Sequence, residues 1–155
     1  MSELIESDFI LIVEDSDDDY EFISDTLCED LPNSVQVVRC INGADAIDIL
    51  QKNVVDTNSA SCRCRLITLD LNLPGVCGRE VLSYVKSSRC TKSIPVVVLT
   101  TSNNDRDVSS CYQLGANSYV QKPVDLGRFV DALEQLKNYW LNLSVQPVCL
   151  KTPVT

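Results

Sequence analysis

The sequence predicts an α/β domain built on a doubly wound, five-stranded parallel sheet. Two observations lead there. Short apolar runs alternate with amphipathic stretches five times along 155 residues, which is the pattern of βαβ units. The runs are continuous rather than alternating in polarity, as in Phe9-Ile10-Leu11-Ile12-Val13 and Pro95-Val96-Val97-Val98-Leu99. Strands covered by helices on both faces read that way. Right-handed crossovers wind such units into one open sheet.

The elements follow in order. Strand one is expected over Asp8–Glu14. Asp17 reads as the N-cap of a helix to about Asp30, with Asp18 and Asp19 in its favourable first turn and Phe22, Ile23, Leu27 and Cys28 on one face. Pro32-Asn33 ends it, and Val35–Cys40 reads as strand two. Asn42-Gly43 turns the chain into a second helix, Ala44–Lys52. The polar stretch Asn53–Arg63 reads as a tolerated surface insertion. Strand three is Arg65–Leu71, and helix three is Gly78–Lys86 with Val81, Leu82 and Val85 inward. Strand four is Ile94–Thr100. Helix four, Asp105–Leu114, stops at a C-capping Gly115. Strand five is Asn117–Gln121. The last helix, Leu126–Leu141, carries Leu126, Phe129, Val130, Leu133, Leu136 and Trp140 at helical spacing. Residues 1–143 are expected to form a single domain, with 144–155 as a short tail.

Composition narrows the function. A net charge of −9, from 13 basic and 22 acidic residues, disfavours nucleic acid and anionic membrane as partners. No apolar stretch approaches the roughly 20 residues of a membrane span, and the start lacks a signal-peptide pattern, so a cytoplasmic protein is expected. The eight cysteines are unpatterned, and Cys62-Arg63-Cys64 is poor zinc spacing. They read as ordinary thiols, with a redox role for Cys62 and Cys64 as the alternative. Histidine is absent. Hydrolytic triads, Cys-His pairs and a histidine base are therefore excluded.

The chemistry collects at the strand ends, where open α/β sheets bind ligands. Glu14 and Asp15 end strand one, Asp70 ends strand three before Pro74-Gly75, Thr100 ends strand four, and Lys122-Pro123 follows strand five. Each has a bland reading. Acids cap helices, threonine ends strands, and a lone lysine is usually a solvated charge. Together they read as one site. Carboxylates about 4 Å apart repel by about 4 kcal/mol at an effective dielectric of 20, and a hard cation relieves that. Oxygen ligands without sulfur or imidazole suit Mg2+ or Mn2+. Pro123 restricts Lys122 to extended backbone and admits a cis peptide, which would aim the ammonium. Asp70 is then a candidate nucleophile for an aspartyl-phosphate, with the metal, Lys122 and Thr100 neutralising the phosphoryl oxygens.

These residues, in this order, resemble the CheY-like receiver domains of two-component response regulators, over about Phe9 to Leu141. More narrowly, Leu69-Asp70-Leu71-Asn72-Leu73-Pro74, Gly78-Arg79-Glu80-Val81-Leu82, Ile94–Ser102 and Tyr139-Trp140-Leu141 look like the regulators paired with cyanobacterial-type phytochromes. The resemblance implies a strand order 2-1-3-4-5 and a phosphoryl group taken on Asp70 from a sensor histidine kinase. It implies Mg2+ held by Asp15, Asp70 and the carbonyl of Asn72, with Glu14 acting through water. Thr100 would bond the phosphoryl group, Lys122 would pair with it, and Tyr119 would turn inward on activation. Tyr119 reads equally as a half-buried strand residue. Output would run through an unidentified downstream protein, with a homodimer through helix 4, strand 5 and helix 5, and no enzymatic activity beyond the domain's own phosphorylation and slow dephosphorylation. Glu14-Asp15 replaces the Asp-Asp of many receivers, and Cys77 stands at an often acidic position. The alternatives are a pseudo-receiver that never takes phosphate and a phosphoaspartyl hydrolase. The second lacks its acid/base, because Asn72 stands where Asp-x-Asp would put it.

Overall fold

The computed structural model describes residues 5–54 and 64–146. Five parallel strands, β1 (Asp8–Val13), β2 (Val35–Cys40), β3 (Cys64–Leu69), β4 (Val96–Thr100) and β5 (Ser118–Gln121), lie in the order β2-β1-β3-β4-β5. Helices α1 (Asp17–Cys28), α2 (Gly43–Val54), α3 (Gly78–Ser87), α4 (Asp105–Gln113) and α5 (Leu126–Lys137) connect and cover them. Fold class and strand order are as expected.

Alternation along β1 shows how the sheet is sandwiched. Phe9, Leu11 and Val13 pack with Ala46 and Leu50 of α2, Val81, Leu82 and Val85 of α3 and Cys111 of α4. Ile10 and Ile12 pack on the other face with Ile23 and Leu27 of α1 and Phe129, Leu133 and Leu136 of α5. One strand thus feeds two cores, which is why it reads as an unbroken apolar run. On the α1 face Ile23, Thr26 and Leu27 are buried, whereas Cys28 is exposed.

Several expectations need correction. The N-cap of α1 is Ser16, not Asp17. Ser16 Oγ accepts the Asp19 backbone N–H at 3.3 Å, while Asp17 pairs with Arg39 at 2.8 Å. α2 starts at Gly43 and runs to Val54, one residue earlier and two later than expected. The last helix is α-helical only to Lys137 and continues as a π-helical segment, Asn138–Leu143, closed by Ser144 N–H to Tyr139 O at 2.7 Å. The wider turn matches the five-residue step from Leu136 to Leu141, both buried in the same core. The cis form that Pro123 admits is not taken: no peptide bond among the described residues is cis, including Lys122–Pro123. Gly115 does take the left-handed conformation (φ 105°) expected after α4. Most of the 53–63 stretch, with Cys62, lies outside the described residues. Cys40, Cys64 and Cys111 are buried free thiols; burial pushes the first two up to about 12.

Candidate functional site

Glu14, Asp70 and Lys122 each sit one residue beyond a strand, yet their backbones stay in the ladder. Glu14 N–H donates to Cys40 O at 2.9 Å, Asp70 N–H to Val13 O at 3.1 Å, and Lys122 N–H to Thr100 O at 2.7 Å. The sheet therefore holds all three at its carboxyl edge, beside the β1–β3 point where the chain reverses direction across the sheet.

The side chains converge. Lys122 Nζ donates to Glu14 Oε2 at 2.8 Å, Asp19 Oδ2 at 2.8 Å and Asp70 Oδ2 at 3.2 Å. Glu14, Asp70 and Lys122 are buried, and Asp15 is exposed. One carboxylate oxygen each from Glu14, Asp15 and Asp70 lies within 4.8 Å of the others. Burial, with the Asp70 charge adding to it, raises the Glu14 carboxyl to about 7 despite the hydrogen bond from Lys122. Burial alone would lower the Lys122 ammonium, but hydrogen bonds to Asp19 and Glu14 outweigh it and raise its pKa. Four acids against one lysine leave an excess of negative charge that a divalent cation fits, and the donors are hard oxygens.

Backbone contacts stiffen the rim. Glu14 Oε1 accepts Ser16 N–H at 3.2 Å, and Asp70 Oδ1 accepts Asn72 N–H at 3.2 Å. Gly78, the first residue of α3, packs so tightly that a Cβ there would lie 2.3 Å from the Asp70 carbonyl oxygen. Thr100 is fully buried, and its Oγ1 has no hydrogen-bond partner. A buried hydroxyl without a partner is costly, and an arriving acceptor would relieve it.

Residues 10–134 match the family model for the response regulator receiver domain. The chain belongs to this family. It is 37% identical over 139 residues to the response regulator Rcp1 of Synechocystis sp. (strain ATCC 27184 / PCC 6803 / Kazusa), covering 89% of this chain and 92% of that protein. Among solved structures it is similar to the phosphorylated cyanobacterial phytochrome response regulator RcpA, with TM-score 0.80 and 35% identity over 91% of this chain and 99% of that one. It is also similar to the Mn(2+)-bound form of Rcp1, with TM-score 0.79 and 36% identity over 90% and 99%. Receiver domains bind Mg2+ or Mn2+ and receive phosphoryl groups from histidine kinases.

The receiver's sequence-derived residues are placed as follows. Glu14, Asp15, Asp70 and Lys122 come together. Asn72 is exposed beside Asp70, and Pro123 is half-buried after the lysine. Tyr119 is half-buried, its hydroxyl donating to Ser102 O at 2.9 Å. Ser102 Oγ in turn donates to Asp107 Oδ2 at 2.5 Å, and Asp107 pairs with Arg79 of α3. This chain of bonds ties the loop after Thr100 to α3 and α4. Sequence reasoning missed Asp19 as a partner of Lys122. Its signal was present, since α1 starts at the same sheet edge where β1 ends.

No helix among the described residues is long and apolar enough to cross a membrane.

Proposed function

We propose that this receiver takes a phosphoryl group from a sensor histidine kinase onto Asp70 and signals through contacts with another protein. The observation that carries the proposal is the convergence of Lys122 on Glu14 and Asp70, 2.8 and 3.2 Å away, which with Asp15 make three carboxylates close enough to share one cation. A carboxylate oxygen of Asp70 attacks phosphorus in line. The new P–O bond forms as the P–N bond to the donor imidazole breaks, its electron pair leaving on nitrogen. These 155 residues contain no histidine, so the donor imidazole lies outside them.

Lys122 supplies a fixed positive charge to the phosphoryl oxygens, and the Thr100 hydroxyl supplies a hydrogen bond. Glu14, Asp15, Asp70 and the carbonyl of Asn72 would hold Mg2+ or Mn2+, which contributes charge neutralisation there. Tyr119 serves as the switch residue, since the Ser102 carbonyl it binds lies two residues past Thr100. The domain then catalyses only its own phosphorylation and slow dephosphorylation. Asn72 offers no second acid/base.

Similarity to RcpA and Rcp1 supports a phytochrome-type kinase as the donor. Half-exposed Tyr112 on α4 and Leu126 on α5 support a homodimer through α4, β5 and α5. Residues 1–143 are taken as the receiver, 144–155 as a tail, and the cytoplasm as its location.

The test is incubation with acetyl phosphate and Mg2+ followed by intact-mass and peptide mapping. One phosphoryl group is expected on Asp70 and none on Asp70→Asn. A wild-type protein that takes no label would make it a pseudo-receiver, and label on another residue of Asp70→Asn would displace Asp70 as the acceptor.

A further inference from the structure

The ammonium of Lys122 has three protons, and three carboxylates take them. Glu14 Oε2 and Asp19 Oδ2 lie at 2.8 Å and Asp70 Oδ2 at 3.2 Å. A lysine offers no more donors than that. An oxygen arriving on Asp70 is therefore bonded by Lys122 only after one of the three present bonds is given up.

The three are not equivalent. The side chains of Glu14 and Asp70 are 2% and 9% exposed, whereas that of Asp19 is 33% exposed. Glu14 and Asp70 also belong to the group of carboxylates that converge closely enough to share one cation. Asp19 comes from α1, where its own backbone N–H is anchored on Ser16 Oγ at 3.3 Å. Water can solvate the Asp19 carboxylate once the lysine leaves, and the N-terminal turn of α1 favours its negative charge. Neither of the other two acids has that outlet. The Asp19 bond is thus the one whose loss costs least.

We infer that Asp19 is a positioning residue: it takes one hydrogen bond of the resting Lys122 ammonium that Glu14 and Asp70 would otherwise share, easing metal entry, and gives it up when a phosphoryl group is seated on Asp70. The inference rests on the phosphoacceptor reading above and deepens it. Asp19 stands outside the group of carboxylates close enough to share one cation, and its role runs through Lys122.

The role predicts two effects of opposite sign. In Asp19→Asn, Lys122 falls back on Glu14 and Asp70 and competes harder with a cation, so Mg2+ alone binds more weakly. The same variant loses the competing acceptor, so beryllofluoride in saturating Mg2+ binds more tightly. Each shift is expected to be on the order of fivefold, the scale of a partly exposed charged pair. Asp19→Glu keeps a carboxylate within reach of the ammonium and should return both constants to within about twofold of wild type. Asp18→Asn removes an equal charge one residue away, from an exposed side chain, and should leave both constants in place.

The experiment is calorimetric titration of the four proteins with Mg2+ and then, in saturating Mg2+, with beryllofluoride. Weaker metal and tighter beryllofluoride binding in Asp19→Asn alone supports the role. Shifts in the same direction would mark a merely structural residue, and no shift, or equal shifts in Asp18→Asn, would likewise overturn it. The Mg2+ titration needs no phosphoryl mimic. It still decides the role of Asp19 where wild type takes no beryllofluoride, an outcome that would instead count against Asp70 as the acceptor.

Discussion

The ammonium of Lys122 lies 2.8 Å from the carboxylate of Glu14, a residue 108 positions earlier in the chain. Both are buried, and both are fixed by backbone bonds at the edge of the sheet. This pair makes the lysine a stand-in cation. It offsets part of the charge that a divalent ion would offset in full.

Removing the lysine should therefore be costly without metal and cheaper with it. Lys122→Met leaves Glu14 and Asp70 buried without a counter-charge. A loss of about 3 kcal/mol is expected, the scale of breaking a buried ion pair. Urea denaturation in EDTA should show that loss, and saturating Mg2+ should recover most of it. Equal losses with and without Mg2+ would mean that lysine and metal do not share the same carboxylates.

Glu14 sets a pH dependence of defined sign. Burial raises its carboxyl from 4.5 to about 7, so the folded state holds that proton more tightly than the unfolded chain does. Its contribution to stability is thus most favourable below about pH 4.5 and declines as pH rises towards 7. The full decline is on the order of a few kcal/mol, at about 1.4 kcal/mol per unit. Metal binding needs the ionised form, so Mg2+ affinity should rise over the same window. Urea midpoints of wild type and Glu14→Gln in EDTA, compared from pH 5 to 8, should differ in slope in this sense. Parallel curves would remove Glu14 as the source.

Thr100 presents a trade between stability and ligand binding. Its Oγ1 is buried and has no partner. Thr100→Val keeps the shape and removes the unpaired hydroxyl, so the ligand-free protein should gain about 1 kcal/mol. Beryllofluoride binding should weaken about tenfold, for the loss of one hydrogen bond to a charged acceptor. Thr68, on β3, has the same buried and unpartnered hydroxyl. Thr68→Val should show the gain in stability without the loss in binding. Thermal melts and calorimetry on both variants separate the two effects.

What was legible in the sequence divides along a physical line. Glu14, Asp70, Thr100 and Lys122 were readable because a strand has a definite end, and parallel strands put their carboxyl ends on one edge. Asp19 was visible only as a first-turn acid, because its side chain reaches the lysine from a helix whose start could be placed no better than a residue or two. The same looseness put the cap at Asp17. Ser16 takes it because its hydroxyl reaches the Asp19 N–H, which frees Asp17 for Arg39. The π-helical segment was hidden by the assumption of a 3.6-residue repeat. The step of five from Leu136 to Leu141, with both residues buried, was its only trace.

Gly78 was read as the start of a helix and the first residue of a family motif, and its packing yields a last prediction. A Cβ at this position would lie 2.3 Å from the Asp70 carbonyl oxygen and 2.7 Å from Leu71 Cα, both backbone atoms. Neither can swing aside as a flexible side chain would. Gly78 N–H also donates to Leu71 O at 3.2 Å, so α3 cannot retreat without losing that bond. Ordinarily alanine is the better helix former, by about 1 kcal/mol. Here Gly78→Ala should instead destabilise by about 2 kcal/mol, the scale of overpacking a tight core. The displaced backbone is that of Asp70 itself, so Mg2+ and beryllofluoride affinity should fall together with stability. A Gly78→Ala protein that is more stable than wild type, with metal binding intact, would show that α3 does not brace Asp70.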